Sequence, residues 1–191
     1  LLPTHRYPQP WLFASVYQTI GGPSVDLLRL PSGNPYDMYR NTEAWYRLID
    51  PELADPANRF GANVLTRIKE AITTAEEFHR DLDEWYHPNS YAVYCADPAQ
   101  RAFGTVRWRT FLPRESLRQG NLDALPCAAR LARGARAVDY RTGLRLVFHQ
   151  SQQDAAGDGT VPEQSGRGPH GKVRQVFRTL GYTHQEDFDT S

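Results

Sequence analysis

The sequence predicts an α/β fold, with a mostly parallel sheet, helices on both faces and a cap. Three observations lead to this prediction: one segment has strong helical periodicity, several short runs are rich in aromatic and β-branched residues, and a glycine-flanked aspartate follows one of these runs. We expect residues 1–60 to form the cap and residues 61–191 to form part of the core with its functional loops.

The clearest element is a helix between Ala62 and Trp85. Its apolar residues recur every three or four positions with acidic and basic residues between them, which is typical of a helix with one buried face. Pro88 ends the pattern. The first 60 residues contain eight prolines that interrupt any longer periodicity, so we predict short helices and loops there.

Short aromatic and β-branched runs predict the strands. The first two are separated by a turn-like Ala96-Asp97-Pro98. Residues 172–179 fit either a helix or a strand, and the arginine- and alanine-rich segment 114–136 fits a surface helix or an excursion over the sheet. The predicted strands are residues 91–95, 103–108 and 144–149.

The composition limits the classes of function. Basic and acidic residues number 22 each, so no net charge draws the chain toward nucleic acid or an anionic membrane. No run approaches the roughly 18 to 20 apolar residues of a membrane span, and we expect no transmembrane segment. Cys95 and Cys127 are too few for a disulfide framework or a zinc site, which favours free thiols and leaves the compartment open.

Two residues have the clearest chemical meaning, Asp158 and His184. Asp158 lies between Gly157 and Gly159 in a turn-rich segment. Glycines permit a sharp turn that points a carboxylate into a site, where it can accept the Nδ1 proton of a histidine and leave Nε2 to deprotonate a serine. Asp-Gly is also a common turn signal, so Asp158 could instead simply cap a turn.

The order of these two residues fits the α/β-hydrolases. In that fold the triad partners run in chain order Ser, Asp or Glu, then His, and His184 comes 26 residues after Asp158. The histidine normally follows the last strand, so we favour a strand at residues 172–179. The chain would then be the C-terminal part of such a fold.

Several segments carry a family resemblance. Residues 157–162 read GDGTVP and, with Ser165, resemble the GDGTVP-x-x-S segment of the lecithin:cholesterol acyltransferase family. Residues 181–185 are similar to the segment bearing that family's catalytic histidine. Residues 23–28 with Pro31 resemble its PS-x-x-LLP element, and residues 94–97 resemble its YG-x-D region, with cysteine at the glycine position.

The resemblance implies an enzyme without a cofactor or metal. Asp158 would be the triad acid and His184 the base, and the serine would form an acyl-enzyme on an ester. An alcohol as second substrate makes such an enzyme an O-acyltransferase, and water makes it an esterase or lipase. A non-catalytic binding module on the same fold is the alternative from another class.

The nucleophilic serine is missing from these residues. A nucleophile elbow needs Gly-x-Ser-x-Gly, and the sequence contains no such motif. We therefore expect the serine on a partner, the N-terminal part of the same translation product, separated by cleavage or by a lid loop. The substrate is expected to be an ester or a lipid-like small molecule.

The other histidines are weaker candidates for the catalytic base than His184. His149 at the end of a strand and His170 in a Gly/Pro-rich loop are the alternative bases. His5, His79 and His87 are scattered, and no His/Asp/Glu set has metal-ligand spacing. Aromatic residues of the first 60 positions fit ordinary packing, and equally a cap over an apolar acyl site. These residues are Trp11, Tyr17, Tyr36, Tyr39 and Trp45.

Overall fold

The computed structural model describes residues 2–19, 22–111, 122–141 and 143–185. They divide into two units. Unit 1 combines the described parts of Leu1–Asp81 and Arg107–Ser151, and unit 2 those of Leu82–Val106 and Gln152–Ser191. The boundaries therefore differ from the predicted division at residue 60. Whether residues 1–60 act as a cap stays a prediction.

Both units mix strands with helices, so the predicted mixed α/β class is confirmed. The strands are β1 Leu12–Tyr17, β2 Ser24–Leu30, β3 Tyr91–Cys95, β4 Asp97–Ala102, β5 Val106–Phe111, β6 Ala129–Arg130, β7 Arg136–Arg141, β8 Leu144–Gln150, β9 Ala155–Gly157 and β10 Gln175–Thr179. The α-helices are α1 Pro35–Arg40, α2 Pro51–Ala54, α3 Val64–Leu82 and α4 Glu163–Gly166, and 3-10 turns occupy Gly61–Asn63, Leu122–Ala124 and Ala132–Gly134.

The sheet of unit 1 differs from the predicted parallel one. Its order is β2-β1-β5-β8-β7-β6, and the pairs β1–β2, β5–β8, β7–β8 and β6–β7 are all antiparallel. Parallel neighbours need a crossover of a dozen or more residues, whereas only two residues separate β7 from β8. The expectation of a mostly parallel sheet with helices on both faces is therefore wrong for this unit.

The first 60 residues contain two paired strands as well as short helices, which corrects the prediction for this segment. Prolines stand beside these strands and not inside them: Pro10 precedes β1, and Pro23 and Pro31 flank β2. The strands need no proline N–H in their ladder, so the prolines delimit them without breaking them. Pro35 and Pro51 begin α1 and α2, where helices tolerate proline best.

The core of unit 1 lies on one face of its sheet. Trp45 is fully buried, its ring stacks on Phe148 with centroids 4.2 Å apart, and its Nε1 donates to the Leu122 carbonyl at 2.9 Å. Leu12, Val16, Val138 and Leu146 are completely buried as well. Burial of these large side chains is the main driving force for the unit, since each removes apolar area from water.

The predicted long helix is confirmed as α3. Its inward side carries Ile72 and the buried carboxylate of Glu76. Glu76 accepts hydrogen bonds from Asn34 at 2.8 Å, from Arg80 at 2.5 Å and from Arg40. Burial raises the pKa of the Glu76 carboxyl, but the bond from Arg40 lowers it more, and with Asn34 and Arg80 the net pKa lies below the ordinary value.

Unit 2 contains the parallel strand pair. β3 and β10 align in register over five residue pairs, from Gln175 opposite Tyr91 to Thr179 opposite Cys95. The predicted strands at residues 91–95 and 172–179 are therefore confirmed. Helix α4 packs on one face of the pair so closely that a Cβ on Gly166 would lie 2.6 Å from the Cβ of Tyr94.

The opposite face of the pair is apolar and exposed to solvent. Alternation along the strands places Tyr91, Val93 and Phe177 on it, and their exposed fractions are 57, 54 and 44%. Parallel sheets in known proteins are covered on both faces. We call these three side chains the open face.

The predicted turn at residues 96–98 is wrong, because β4 begins at Asp97. Pro98 is compatible with this short strand, which pairs antiparallel with β9 and has a register shift between Asp97 and Arg101. The break comes later, at Gly104 and Thr105, so residues 103–108 are not one strand. The predicted strand at 144–149 is confirmed as β8.

The arginine-rich segment 114–136 was expected to be a surface helix or an excursion. Residues 114–121 lie outside the described part. Residues 122–136 contain two 3-10 turns and β6, with no α-helix in this described stretch. The two ends of the longer segment 107–151, which begins in β5, are joined, because the Ser151 N–H donates to the Arg107 carbonyl at 2.8 Å.

Cys95 and Cys127 are free, and Cys95 is buried. Among the described helices, none is long and apolar enough to span a bilayer. Over the same residues, no cluster of His, Cys, Asp and Glu has a metal-binding arrangement.

Candidate active site

Asp158 directly follows β9 and is held by its own loop. Its Oδ1 accepts the N–H groups of Thr160 at 2.8 Å and Val161 at 2.6 Å. Gly157 is required before it, since a Cβ there would lie 2.3 Å from the Val161 carbonyl oxygen. Gly159 after it has φ +92°, a conformation that glycine adopts most easily. The glycines therefore fix the direction of the carboxylate, as the sequence predicted.

His184 lies beyond β10 and binds the Asp158 loop twice. Its backbone N–H donates to the Asp158 carbonyl at 2.7 Å, and its ring Nδ1 lies 2.7 Å from Asp158 Oδ2. A carboxylate can only accept, so Nδ1 carries the proton in this bond. The side chain of Asp158 is 10% exposed and that of His184 is 40% exposed. The acid is thus enclosed while the ring reaches the surface of the unit.

The electrostatics keep Asp158 ionised. Burial raises the pKa of its carboxyl, but the Val161 N–H, the His184 ring and the Thr160 N–H lower it more, so the net pKa is below the ordinary value. An ionised carboxylate at Nδ1 fixes the ring tautomer and stabilises the imidazolium that forms when the ring takes a proton. The pair can therefore serve as the acid and base of a triad.

Two further residues support the loop and were not found from the sequence. Asp154 accepts the N–H groups of Gly104 at 2.8 Å and Thr105 at 3.0 Å, together with the Thr105 hydroxyl. Gln153 donates to the Gly159 carbonyl at 2.9 Å. These partners are up to 50 residues away from Asp154, and no local motif in the sequence indicates such bonds.

The other histidines occupy different surroundings. His149 is the last but one residue of β8 in unit 1, and His170 lies in the loop after α4. His79 Nδ1 is 2.8 Å from the Tyr36 hydroxyl, and His87 Nδ1 accepts the Asn89 N–H at 3.2 Å. Among the histidines in the described ranges, His184 alone pairs with a carboxylate. The structure thus brings together the two residues that the sequence singled out.

Comparisons with known proteins give one structural likeness. No protein-family model matches the chain, and no curated protein matches it. Among solved structures, a chain of the crystal structure of the Tle4–Tli4 complex aligns with a TM-score of 0.63 and 23% sequence identity. The alignment covers 98% of this chain and 41% of that chain.

The likeness shows a shared fold. This chain spans about two fifths of the length of the chain it matches, so the larger part of that protein has no counterpart in these 191 residues.

Proposed function

We propose that this chain supplies the acid and the base of a serine-dependent enzyme that acts on an ester through an acyl-enzyme. The carrying observation is the 2.7 Å contact between His184 Nδ1 and a buried Asp158 carboxylate. Each residue follows a strand, in the chain order Asp then His that α/β-hydrolases use. The resemblance to the lecithin:cholesterol acyltransferase family supports the same roles.

The mechanism follows from the orientation of the ring. With Nδ1–H donated to Asp158, Nε2 is the atom that takes the serine proton as the oxygen attacks the ester carbonyl. Asp158 stabilises the resulting imidazolium. His184 then gives the proton to the leaving alcohol, and an acyl-enzyme remains. Water or an acceptor alcohol, deprotonated by the same Nε2, attacks the acyl carbonyl, and His184 returns the proton to the serine oxygen as it leaves.

The nucleophilic serine comes from sequence outside these residues in this proposal. The open face supports it, because a parallel strand pair with an apolar uncovered face is an incomplete sheet layer. The chain also aligns with less than half of its structural neighbour. We propose the N-terminal part of the same polypeptide as the partner that carries the serine and most of the oxyanion hole.

Unit 1 contains a cavity that suits the hydrocarbon part of an ester. Its volume is about 260 Å³, and its walls are mainly apolar side chains of α1 and α3. Apolar cavities with a few polar groups are the usual binding sites of small apolar molecules. The lining includes Tyr36, Tyr39, Ile49, Ile68, Ile72 and His79.

A fluorophosphonate probe tests the proposal on the complete natural polypeptide. The probe phosphorylates serines that an adjacent base activates, and mass spectrometry identifies the labelled residue. We expect one labelled serine outside residues 1–191, and loss of the label in His184→Ala. His149→Ala is the matched control and should label like the wild type. A folded protein that does not label would support the non-catalytic binding module instead.

The choice between hydrolysis and acyl transfer needs a second measurement. Release of the acyl group from a p-nitrophenyl ester is followed with and without an added alcohol. An acyltransferase forms the new ester at the expense of the free acid, whereas an esterase or lipase yields the acid in both cases.

A further inference from the structure

The first residue of β4, Asp97, touches both halves of the candidate site. Its backbone lies opposite Gly157 in the β4–β9 pair, directly before Asp158. Its side-chain Oδ2 accepts the N–H of Gly181 at 2.8 Å, three residues before His184. Asp97 therefore binds the loop that carries His184 and also pairs with β9, the strand that Asp158 follows.

The loop of His184 needs this support because of its geometry. Gly181 has φ +85°, so the chain reverses sharply after β10. Contacts that hold the loop include the Asp97 carboxylate, the Cys95 thiol, which donates to the Tyr182 carbonyl at 3.3 Å, and Asp158 itself. A carboxylate acceptor makes a stronger hydrogen bond than a thiol donor, so Asp97 is the firmer of the two outer contacts.

The second oxygen of Asp97 fixes its direction. Oδ1 accepts the N–H of Ala99 at 2.8 Å, a local bond between the first and third residues of β4. The same strand also binds the acid loop, because the Gly159 N–H donates to the Gln100 carbonyl at 3.2 Å. β4 thus holds the acid loop through its backbone and the base loop through one side chain.

We propose that Asp97 is a positioning residue, which sets the distance between Asp158 and His184 by fixing both loops to one strand. This inference rests on the proposed function for its effect on turnover. Its effect on the hydrogen bond between the two side chains does not depend on the presence of a nucleophile. Asp97 acts through His184 and has no contact with reacting atoms in the proposal.

Two variants separate the bonds of Asp97. Asp97→Ala removes both. Asp97→Ser keeps an oxygen for the nearby Ala99 N–H and has none for Gly181, so it tests the bond to the base loop alone. Asp139→Ala is the matched control, because Asp139 also accepts bonds through both oxygens, from Arg145, on the sheet of unit 1.

The complete natural polypeptide, labelled with ¹⁵N-histidine, gives the decisive readout. The Nδ1 proton of His184 is identified as the low-field signal that His184→Ala lacks. We expect Asp97→Ala and Asp97→Ser to broaden or shift this signal and to lower kcat for a p-nitrophenyl ester by about 10- to 100-fold, with KM unchanged. Asp139→Ala should leave both as in the wild type.

Each result decides the inference. An unchanged His184 signal and unchanged kcat in folded Asp97→Ala would overturn it. If Asp97→Ala does not fold, Asp97→Ser gives the same decision, because it retains an oxygen for the Ala99 N–H. A folded wild-type protein that does not react with the fluorophosphonate probe would refute the proposed function, and the His184 signal in the Asp97 variants would still test the positioning role.

Discussion

At the scale of single residues, Asp158 and His184 have different tasks, and their substitution has different chemical consequences. Asp158→Asn offers a carboxamide that can hold the ring in the wrong tautomer, while His184→Ala removes the base. We expect each to lower kcat by about 10³-fold or more with little change in KM. Steady-state kinetics of the complete polypeptide measures this, with Asp139→Asn as control. Near-normal turnover in both variants would refute the triad assignment.

The lowered pKa of Asp158 makes stability depend on pH. A carboxyl with a folded pKa below its unfolded value stabilises the fold above the unfolded pKa, about 3.9, and loses that contribution as pH falls through the folded pKa. The difference in unfolding free energy between wild type and Asp158→Asn should shrink as the pH falls below about 4. Urea unfolding at several pH values measures it. A pH-independent difference would contradict the lowered pKa.

Residues of the site differ in how far the sequence alone can identify them. Asp158 and His184 were predictable because glycines, strand context and chain order all lie in the local sequence. Asp154 and Asp97 were not, since their partners are 49 to 84 residues away and depend on which strands become neighbours. Asp97 was assigned to a turn, although its carboxylate is what the Gly181 N–H requires.

At the scale of elements, the loop between β9 and α4 depends on two glycines for different reasons. Gly157→Ala would place a Cβ 2.3 Å from the Val161 carbonyl, so the backbone that binds Asp158 must move. We expect a loss of about 1–3 kcal/mol in stability together with lost turnover. Gly159→Ala meets no atom within 4 Å but has φ +92°, so we expect about 1–2 kcal/mol of strain and a smaller effect on turnover.

Thermal unfolding and kinetics of both variants test this contrast. Gly33→Ala is the control, because its Cβ would meet nothing within 4 Å and its φ is not positive, so its stability should stay within about 0.5 kcal/mol of wild type. Equal losses of turnover in the Gly157 and Gly159 variants would show that crowding against Val161 is not the cause.

The elements themselves were predictable where one face is buried and the pattern is long. Helix α3 follows its periodicity, and β3 and β8 follow runs of aromatic and β-branched residues. β10 was predictable from the position of His184 after it, because its own pattern fits a helix equally well. β1 and β2 were missed because flanking prolines were interpreted as breaks inside a loop segment. β7 was missed because three of its six residues are Arg136, Asp139 and Arg141, which obscure the apolar alternation. A short connection between two strands makes them antiparallel. Because β7 was not detected, the short β7–β8 connection could not be used to predict the direction of these strands.

At the scale of the whole molecule, the open face predicts how the 191-residue chain behaves when produced by itself. Apolar side chains on an uncovered strand pair bind other apolar surfaces, so we expect dye binding and self-association.

Val93→Thr with Phe177→Thr should reduce both without loss of stability, because these side chains are already exposed and threonine suits a strand. Size-exclusion chromatography and a hydrophobic dye measure this. The control is Leu53→Thr, an exposed leucine of α2 in unit 1. A monomer that binds no dye would contradict the proposed partner.

The hydrogen bond between Ser151 and Arg107 has a consequence for how such a protein can diversify. Residues 107–151 therefore begin and end at one point. This segment contains most of β5, all of β7 and β8, and the buried Val138, Leu146 and Phe148, so its strands must keep their apolar side chains. We expect variation among descendants of one ancestor in the connections between these strands, while the joined ends of the segment stay constant.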